Sequence, residues 1–274
     1  MDKDGLIFLK NGSDKRKVTS REELARLLQS SGNLYAEETI LQQTTIKRSL
    51  DKDRFSEFYE RRYHQLPDWD NLSQIIENLR LGYNNKLNWA GALLFGLDVR
   101  HLLPNFYISA VWFKGNNLGG STYQKSDNLY GTLKSQFTQG CEFVSSKLEK
   151  KQNGKNFNTI GDSEIPELVI QELLINALIH RDYYINDSIK LFVFDNRIEI
   201  ISPGKLPNNL SEAQIRNGIS RRRNHILASF AIDVLPYRSL GSGIVRALQA
   251  YPNIDFINNT QTEQLTAIIH RPHN

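Results

Sequence analysis

Glu172, Asn176 and His180 stand four residues apart in the run Glu172-Leu-Leu-Ile-Asn176-Ala-Leu-Ile-His180-Arg181-Asp182-Tyr183. On a helix that interval sets the three side chains along one stripe. Leu173, Leu174 and Ala177 then remain for a core. A carboxylate so placed can orient a water for attack on phosphorus, and an amide oxygen can ligate a magnesium ion. Spacing alone favours a plain solvated helix face; the flanking runs turn the reading toward chemistry.

Two of those runs are built on glycine. Ser202-Pro203-Gly204-Lys205-Leu206-Pro207 follows an alternating stretch over 197–201 and predicts a strand ending in a sharp turn. Glycine there lets a ligand approach the backbone. Further on, Gly241-Ser242-Gly243 opens a helical stretch, within the run Arg238-Ser239-Leu240-Gly241-Ser242-Gly243-Ile244-Val245-Arg246. Backbone N–H groups at such a helix start can cradle phosphate, although a lone Gly-x-Gly is more often a turn. Between them lies Arg221-Arg222-Arg223-Asn224-His225. Three consecutive arginines cannot share one helix face, so one or two reach a phosphate, an acidic partner or solvent.

The elements that must position these residues follow from periodicity. Pro166 suits the start of a helix over 166–181. Strands are expected at 189–194 and 197–202, joined at Asp195-Asn196, then helices at 223–232 and 242–250 and strands near 254–257 and 264–270. Upstream, the pattern predicts a strand at 5–10, a polar turn over 11–15, and helices at 21–29, 53–64 and 71–81. It also predicts a buried strand or short helix at 89–96, a strand from Phe106 to Phe113, a loop at 115–122 and one long helix over 127–150. The polar stretch 151–163 is the expected subdomain boundary. An opening strand without a partner suggests a piece of a longer chain.

The Glu-xxx-Asn-Ala pattern at 172–177 resembles the N-box helix of the gyrase, histidine-kinase and MutL (GHKL) ATPase superfamily. The fuller run through His180-Arg181-Asp182-Tyr183, together with Ser-Pro-Gly-x-Leu-Pro, is similar to the divergent form found in bacterial RecG-related transcriptional regulators that carry a Schlafen/Alba-type DNA-binding domain. That resemblance implies roles residue by residue. Glu172 would activate water, and Asn176 would hold Mg²⁺. Gly204, Gly241 and Gly243, with Ser242, would face the phosphates of ATP; His180, Arg223 and Asn224 would lie beside the site. Where the superfamily's G1 box carries an Asp that recognises the adenine amino group, this chain has Ser202, and only Gly204 matches well. Asp195 lies too early, at the hairpin tip, to replace it.

The resemblance further implies an α+β fold: a mixed or antiparallel sheet layered with helices, an α/β sandwich, preceded by a smaller α+β subdomain. Residues 1–30 would be the tail of an upstream Schlafen/Alba-type domain, 31–155 an intermediate subdomain and 156–274 the ATPase-like domain. DNA would be met through domains outside this chain, and a homodimer is compatible with the resemblance.

Composition sets the outer limits. With 39% hydrophobic and 23% charged residues the chain can form a real core, and disorder is not indicated. A formal net charge of +4 permits nucleic acid or nucleotide contact without requiring it. Cys141 is the only cysteine, which rules out an intrachain disulfide or a cysteine-based zinc site. No apolar run reaches the ~18 residues that span a bilayer, and the N-terminus lacks a signal-peptide core, so the cytoplasm is the expected compartment. No Gly-xxxx-Gly-Lys-Ser/Thr occurs; 119–126 lacks the glycine before the lysine. A helicase motor is therefore absent from these residues. No Ser-His-Asp or His-Glu-xx-His pattern is present, and a histidine kinase would need a phospho-acceptor histidine that cannot be identified. The expected function is thus an ATP-binding regulatory module, at most a slow Mg²⁺-dependent ATP hydrolase. The alternative is a nucleic-acid-binding or interaction scaffold that keeps the fold without the nucleotide.

Overall fold

The computed structural model describes residues 7–11, 14–20, 23–24, 27–28, 35–118, 123–151, 161–207, 210–236 and 241–272. It opens on a hairpin, β1 (Phe8–Asn11) antiparallel to β2 (Asp14–Lys17). The opening strand therefore has a partner, and part of the expected polar turn is that partner. Of the helix expected at 21–29, residues 23–24 and 27–28 are helical; the rest lies outside the described residues.

A helical layer follows: α1 (Lys52–Tyr63), α2 (Leu72–Asn78) and α3 (Trp89–Phe95). Asp51 accepts from Arg54 N at 3.0 Å and Asn88 accepts from Gly91 N at 2.8 Å, which satisfies the orphan donors at the starts of α1 and α3. The stretch at 89–96 resolves as a helix because Asn88 caps it, with six of its seven residues buried.

Next come β3 (Ile108–Phe113), β4 (Tyr123–Leu129) and α4 (Leu133–Ser145). The single helix expected over 127–150 is thus corrected to a strand followed by a shorter helix. β4 is a polar edge strand whose first four residues are exposed, so it carries no alternating apolar signal. Thr132, which accepts from Ser135 N, starts α4 after the turn at Gly131. Leu133, Phe137, Cys141 and Val144 form the buried face of α4, as the spacing predicts.

The remainder is α5 (Glu167–His180), β5 (Ile189–Val193), β6 (Arg197–Pro203), α6 (Glu212–Arg216), α7 (His225–Val234), α8 (Gly243–Ala250), β7 (Ile254–Asn259) and β8 (Gln264–His270). The central sheet has six strands in the order β7-β8-β6-β5-β3-β4. All neighbours are antiparallel except β3 and β5, which run parallel. It is an α+β fold, a mixed sheet layered with helices. Strands from both sides of 151–163 share this sheet.

One contiguous core runs from Ala36 to Ile269. Phe55 and Phe58 of α1, Phe95 of α3 and Phe230 of α7 pack ring to ring, with Phe58 and Phe230 centroids 5.2 Å apart. Each such buried ring contributes roughly 2–3 kcal/mol. Glu37 adds a polar tie. Fully buried, it accepts from Ile226 N and Leu227 N, both at 2.8 Å, and so caps α7 from 189 and 190 residues away. Burial pushes its carboxyl up to about 7, against the opposing pull of those N–H groups.

Candidate functional site

α5 is apolar nearly all round, and Val169, Ile170, Leu173, Leu174, Ile175, Leu178 and Ile179 are buried. A helix so apolar sits inside, and it packs against α4, α8 and β6. Its polar stripe is the exception. Glu172, Asn176 and His180 all line a cleft of about 990 Å³, counting its open mouth. The opposing wall is Gly241, Ser242, Gly243 and the first turn of α8. Ser202, Gly204 and Lys205 close one end, and Ile200, Phe256, Leu265 and Ala267 form an apolar floor from the sheet.

Each polar group has a defined setting. Asn176 Nδ2 donates to Glu172 O at 2.6 Å, which leaves its oxygen as the atom able to ligate a cation. Arg246 Nη2 of α8 pairs with Glu172 Oε1 at 2.6 Å. Gly243 is pressed against the same group: a Cβ there would stand 2.5 Å from Glu172 Oε2 and 3.2 Å from Asn176 Nδ2. A side chain there would have to displace the Glu172 carboxylate. Ser202 Oγ donates to Ala177 O at 3.2 Å, tying β6 to α5. Burial first, then Arg223 and Arg222, pushes the His180 imidazole down to about 4, so it is neutral at neutral pH.

Gly204 has φ +104°, and a Cβ would meet Arg223 Nη1 and Asp182 Cβ, each at 2.6 Å. The Ser-Pro-Gly turn thus needs glycine for both its backbone angle and its space. The run at 238–240 lies outside the described residues.

Arg223 and Asn224 stand behind the cleft rather than in its wall. Arg223 donates to His180 O at 3.2 Å and Lys205 O at 2.8 Å, and its Nε lies 3.9 Å from Asp182 Oδ2. Asn224, fully buried, donates to Ile179 O and Arg181 O, both at 2.9 Å. These are carbonyls at the C-terminal end of α5, which have no partner within the helix. Arg181, 2% exposed, donates to Ile185 O and Asp187 O and lies over the rings of Phe106 and Tyr183. It clamps the loop after α5.

Among the described residues, Arg221, Lys205 and Arg246 bring three cationic side chains to the cleft against the single carboxylate of Glu172. Such a lining suits an anion with an apolar part. Of these, Lys205 and Arg246 have no signal of their own in the sequence, and the sequence pattern favours Arg223 over Arg221. Arg246 was legible only as the i+3 residue of Gly243, on the face of α8 that turns back to α5.

Comparison with known proteins bears on this cleft. Residues 186–265 match a family model described as "Putative ATP-dependent DNA helicase recG C-terminal". That match supports an ATPase-like domain over this span. The matched span holds Ser202, Gly204, Arg223, Asn224 and the Gly241-Ser242-Gly243 run, and it begins after Glu172, Asn176 and His180. In fold, the chain is similar to the crystal structure of the DIP2311 protein from Corynebacterium diphtheriae, with a TM-score of 0.64 and 17% identity over 98% of this chain and 53% of that one. The chain therefore spans about half the length of that protein, and at this identity the likeness concerns fold alone. No curated protein matches the chain. Among the described residues no helix is long and apolar enough to cross a membrane.

Proposed function

We propose that the cleft binds ATP with Mg²⁺, as the regulatory module of a DNA-associated transcriptional regulator. The observation that carries this reading is the convergence of two helices. The Glu172–Asn176 stripe of α5 faces Gly241-Ser242-Gly243 at the start of α8 across one cationic cleft. The phosphates would meet backbone N–H groups at α8, where the helix dipole favours negative charge, with Arg221 and Lys205 nearby. The base would lie on the apolar floor. Asn176 supplies one oxygen ligand for Mg²⁺. Among the described residues no group of three His, Cys, Asp or Glu side chains gathers to hold a metal, so the phosphates would supply further ligands. That sharing is how Mg²⁺ is usually held in nucleotide sites. The cation would neutralise phosphate charge, while Asn176 and the α8 backbone orient the ligand.

Glu172 is the residue suited to take a proton from water, and hydrolysis on this reading is slow. DNA would be met by domains outside residues 1–274. Ser202, in the place of an adenine-recognising Asp, favours a second reading: a scaffold that keeps the fold and binds nucleic acid without nucleotide. Calorimetry with ATP, with and without Mg²⁺, on this chain and on Asn176→Ala separates the two. The expected outcome is Mg²⁺-dependent binding that weakens about ten-fold or more in the variant. A folded wild-type protein that binds no ATP, yet binds DNA with a steep salt dependence, would put the scaffold in front.

A further inference from the structure

Glu172 is 2% exposed by its side chain, and both of its oxygens are covered from α8. Oε1 is held by the Arg246 guanidinium at 2.6 Å. Oε2 faces Gly243 so closely that a methyl group would not fit between them. A base that activates water must bring an oxygen within about 2.6–3.2 Å of it. Here the guanidinium and the α8 backbone occupy those approaches. Arg246 itself lines the cleft and is 24% exposed, so it has somewhere to go.

We propose that Arg246 is a brake on hydrolysis: by pairing with Glu172 it keeps the carboxylate from water, so a bound triphosphate is held rather than turned over. The proposal rests on the nucleotide-site reading. Departure of Arg246, or a shift of α8 away from α5, releases Glu172. The gated step then balances with water as the only co-reactant. Water oxygen bonds to the terminal phosphorus, and its proton passes to a Glu172 oxygen. The bond from that phosphorus to its bridging oxygen breaks, and ADP leaves with the electron pair. Arg246 acts through Glu172 and is a positioning residue. Mere adhesion between α5 and α8 does not call for charge, since an apolar pair of similar volume often serves a buried contact as well.

The test is steady-state ATP hydrolysis with Mg²⁺ by the wild-type chain, Arg246→Met, Arg246→Gln, Glu172→Gln and the double variant Glu172→Gln/Arg246→Met. The expected result is a turnover about ten-fold or more above wild type in Arg246→Met, a part of what a freed general base contributes. The double variant should be no faster than Glu172→Gln alone. Turnover at or below wild type in Arg246→Met, with nucleotide still bound, overturns the brake. So does a gain that survives in the double variant. Should Arg246→Met fail to fold, Arg246→Gln, which keeps a hydrogen-bond donor without the charge, carries the same expectation and the same refutation. Calorimetry on the wild type keeps the two ideas apart: absent ATP binding defeats the nucleotide site itself, whereas binding without any gain in the Arg246 variants defeats only the brake.

Discussion

The two ends of α5 carry residues of the same chemical kind and use them in opposite ways. Toward the middle, Glu172 and Asn176 face the cleft and meet α8. At the C-terminal end, the equally suggestive Arg181 and Asp182, with Arg223 and Asn224 packed against them, are taken up by carbonyls and by each other. The difference lies in the helix. Within it every backbone carbonyl has its partner four residues on, so Asn176 donates to Glu172 O only as a second donor and keeps its oxygen for the cleft. In the last turn the carbonyls are orphans, and buried donors must be found for them. Asn224 and Arg223 meet that need, and His180 straddles the boundary: its ring lines the cleft while its carbonyl accepts from Arg223. Residue type thus points to chemistry only where the backbone makes no prior demand on it.

Stability should separate the two regions most. Asn224→Ala removes both donors from Ile179 O and Arg181 O in a fully buried place. It should cost about 3 kcal/mol by urea melts, whereas Asn176→Ala, at the cleft, should stay within about 1 kcal/mol. Equal losses would mean that both ends of α5 are structural.

The next largest effect is on His180. Above about 6.5 its imidazole is neutral folded or unfolded. Between 6.5 and about 4 the unfolded chain takes up a proton that the folded chain refuses. Stability should therefore fall as pH drops through that window, by at most about 3 kcal/mol from this residue. The change of stability with pH should be that much shallower in His180→Gln; an unaltered slope would remove His180 from the desolvated wall.

The smallest effect concerns the base. Ser202 donates to Ala177 O and carries no carboxylate, so on the proposed reading nothing at this position selects an adenine amino group. ATP and GTP should therefore bind within about ten-fold of one another, roughly 1.4 kcal/mol. A preference of several hundred-fold for ATP in competition calorimetry would require a recognising group elsewhere in the cleft.

Much of this was legible in the sequence where the signal is local. The four-residue interval survives in α5 because a helix preserves it, and the strand pairs after it alternate as buried strands do, with Ile198 and Ile200 facing the core. Pro166 and the Gly-Ser-Gly run mark helix starts close to where they occur. What was not legible depends on partners distant in sequence. β4 looks like the start of a helix because an exposed edge strand needs no apolar face. The second helix of the site, α8, brings Arg246 to Glu172, and no spacing rule joins residues that far apart. Arg223 and Asn224 were expected beside the ligand, since the pattern reveals donors but not the carbonyls that claim them. Glu37 had no signal at all: standing beside Glu38 ahead of a polar stretch, it reads like any surface acid.

That carboxylate has a bearing on the order in which the molecule can be assembled. Glu37 is made early, and the amides it caps arrive 189 residues later. Until then the α1–α3 layer has neither Phe230 to close its aromatic cluster nor α7 to quench a buried acid. β3 likewise emerges long before β5, its parallel neighbour. Closing such long loops is entropically costly and slows folding. On the ribosome the first half must therefore wait, partly formed and with apolar rings uncovered, until the stretch past Phe230 has been synthesised.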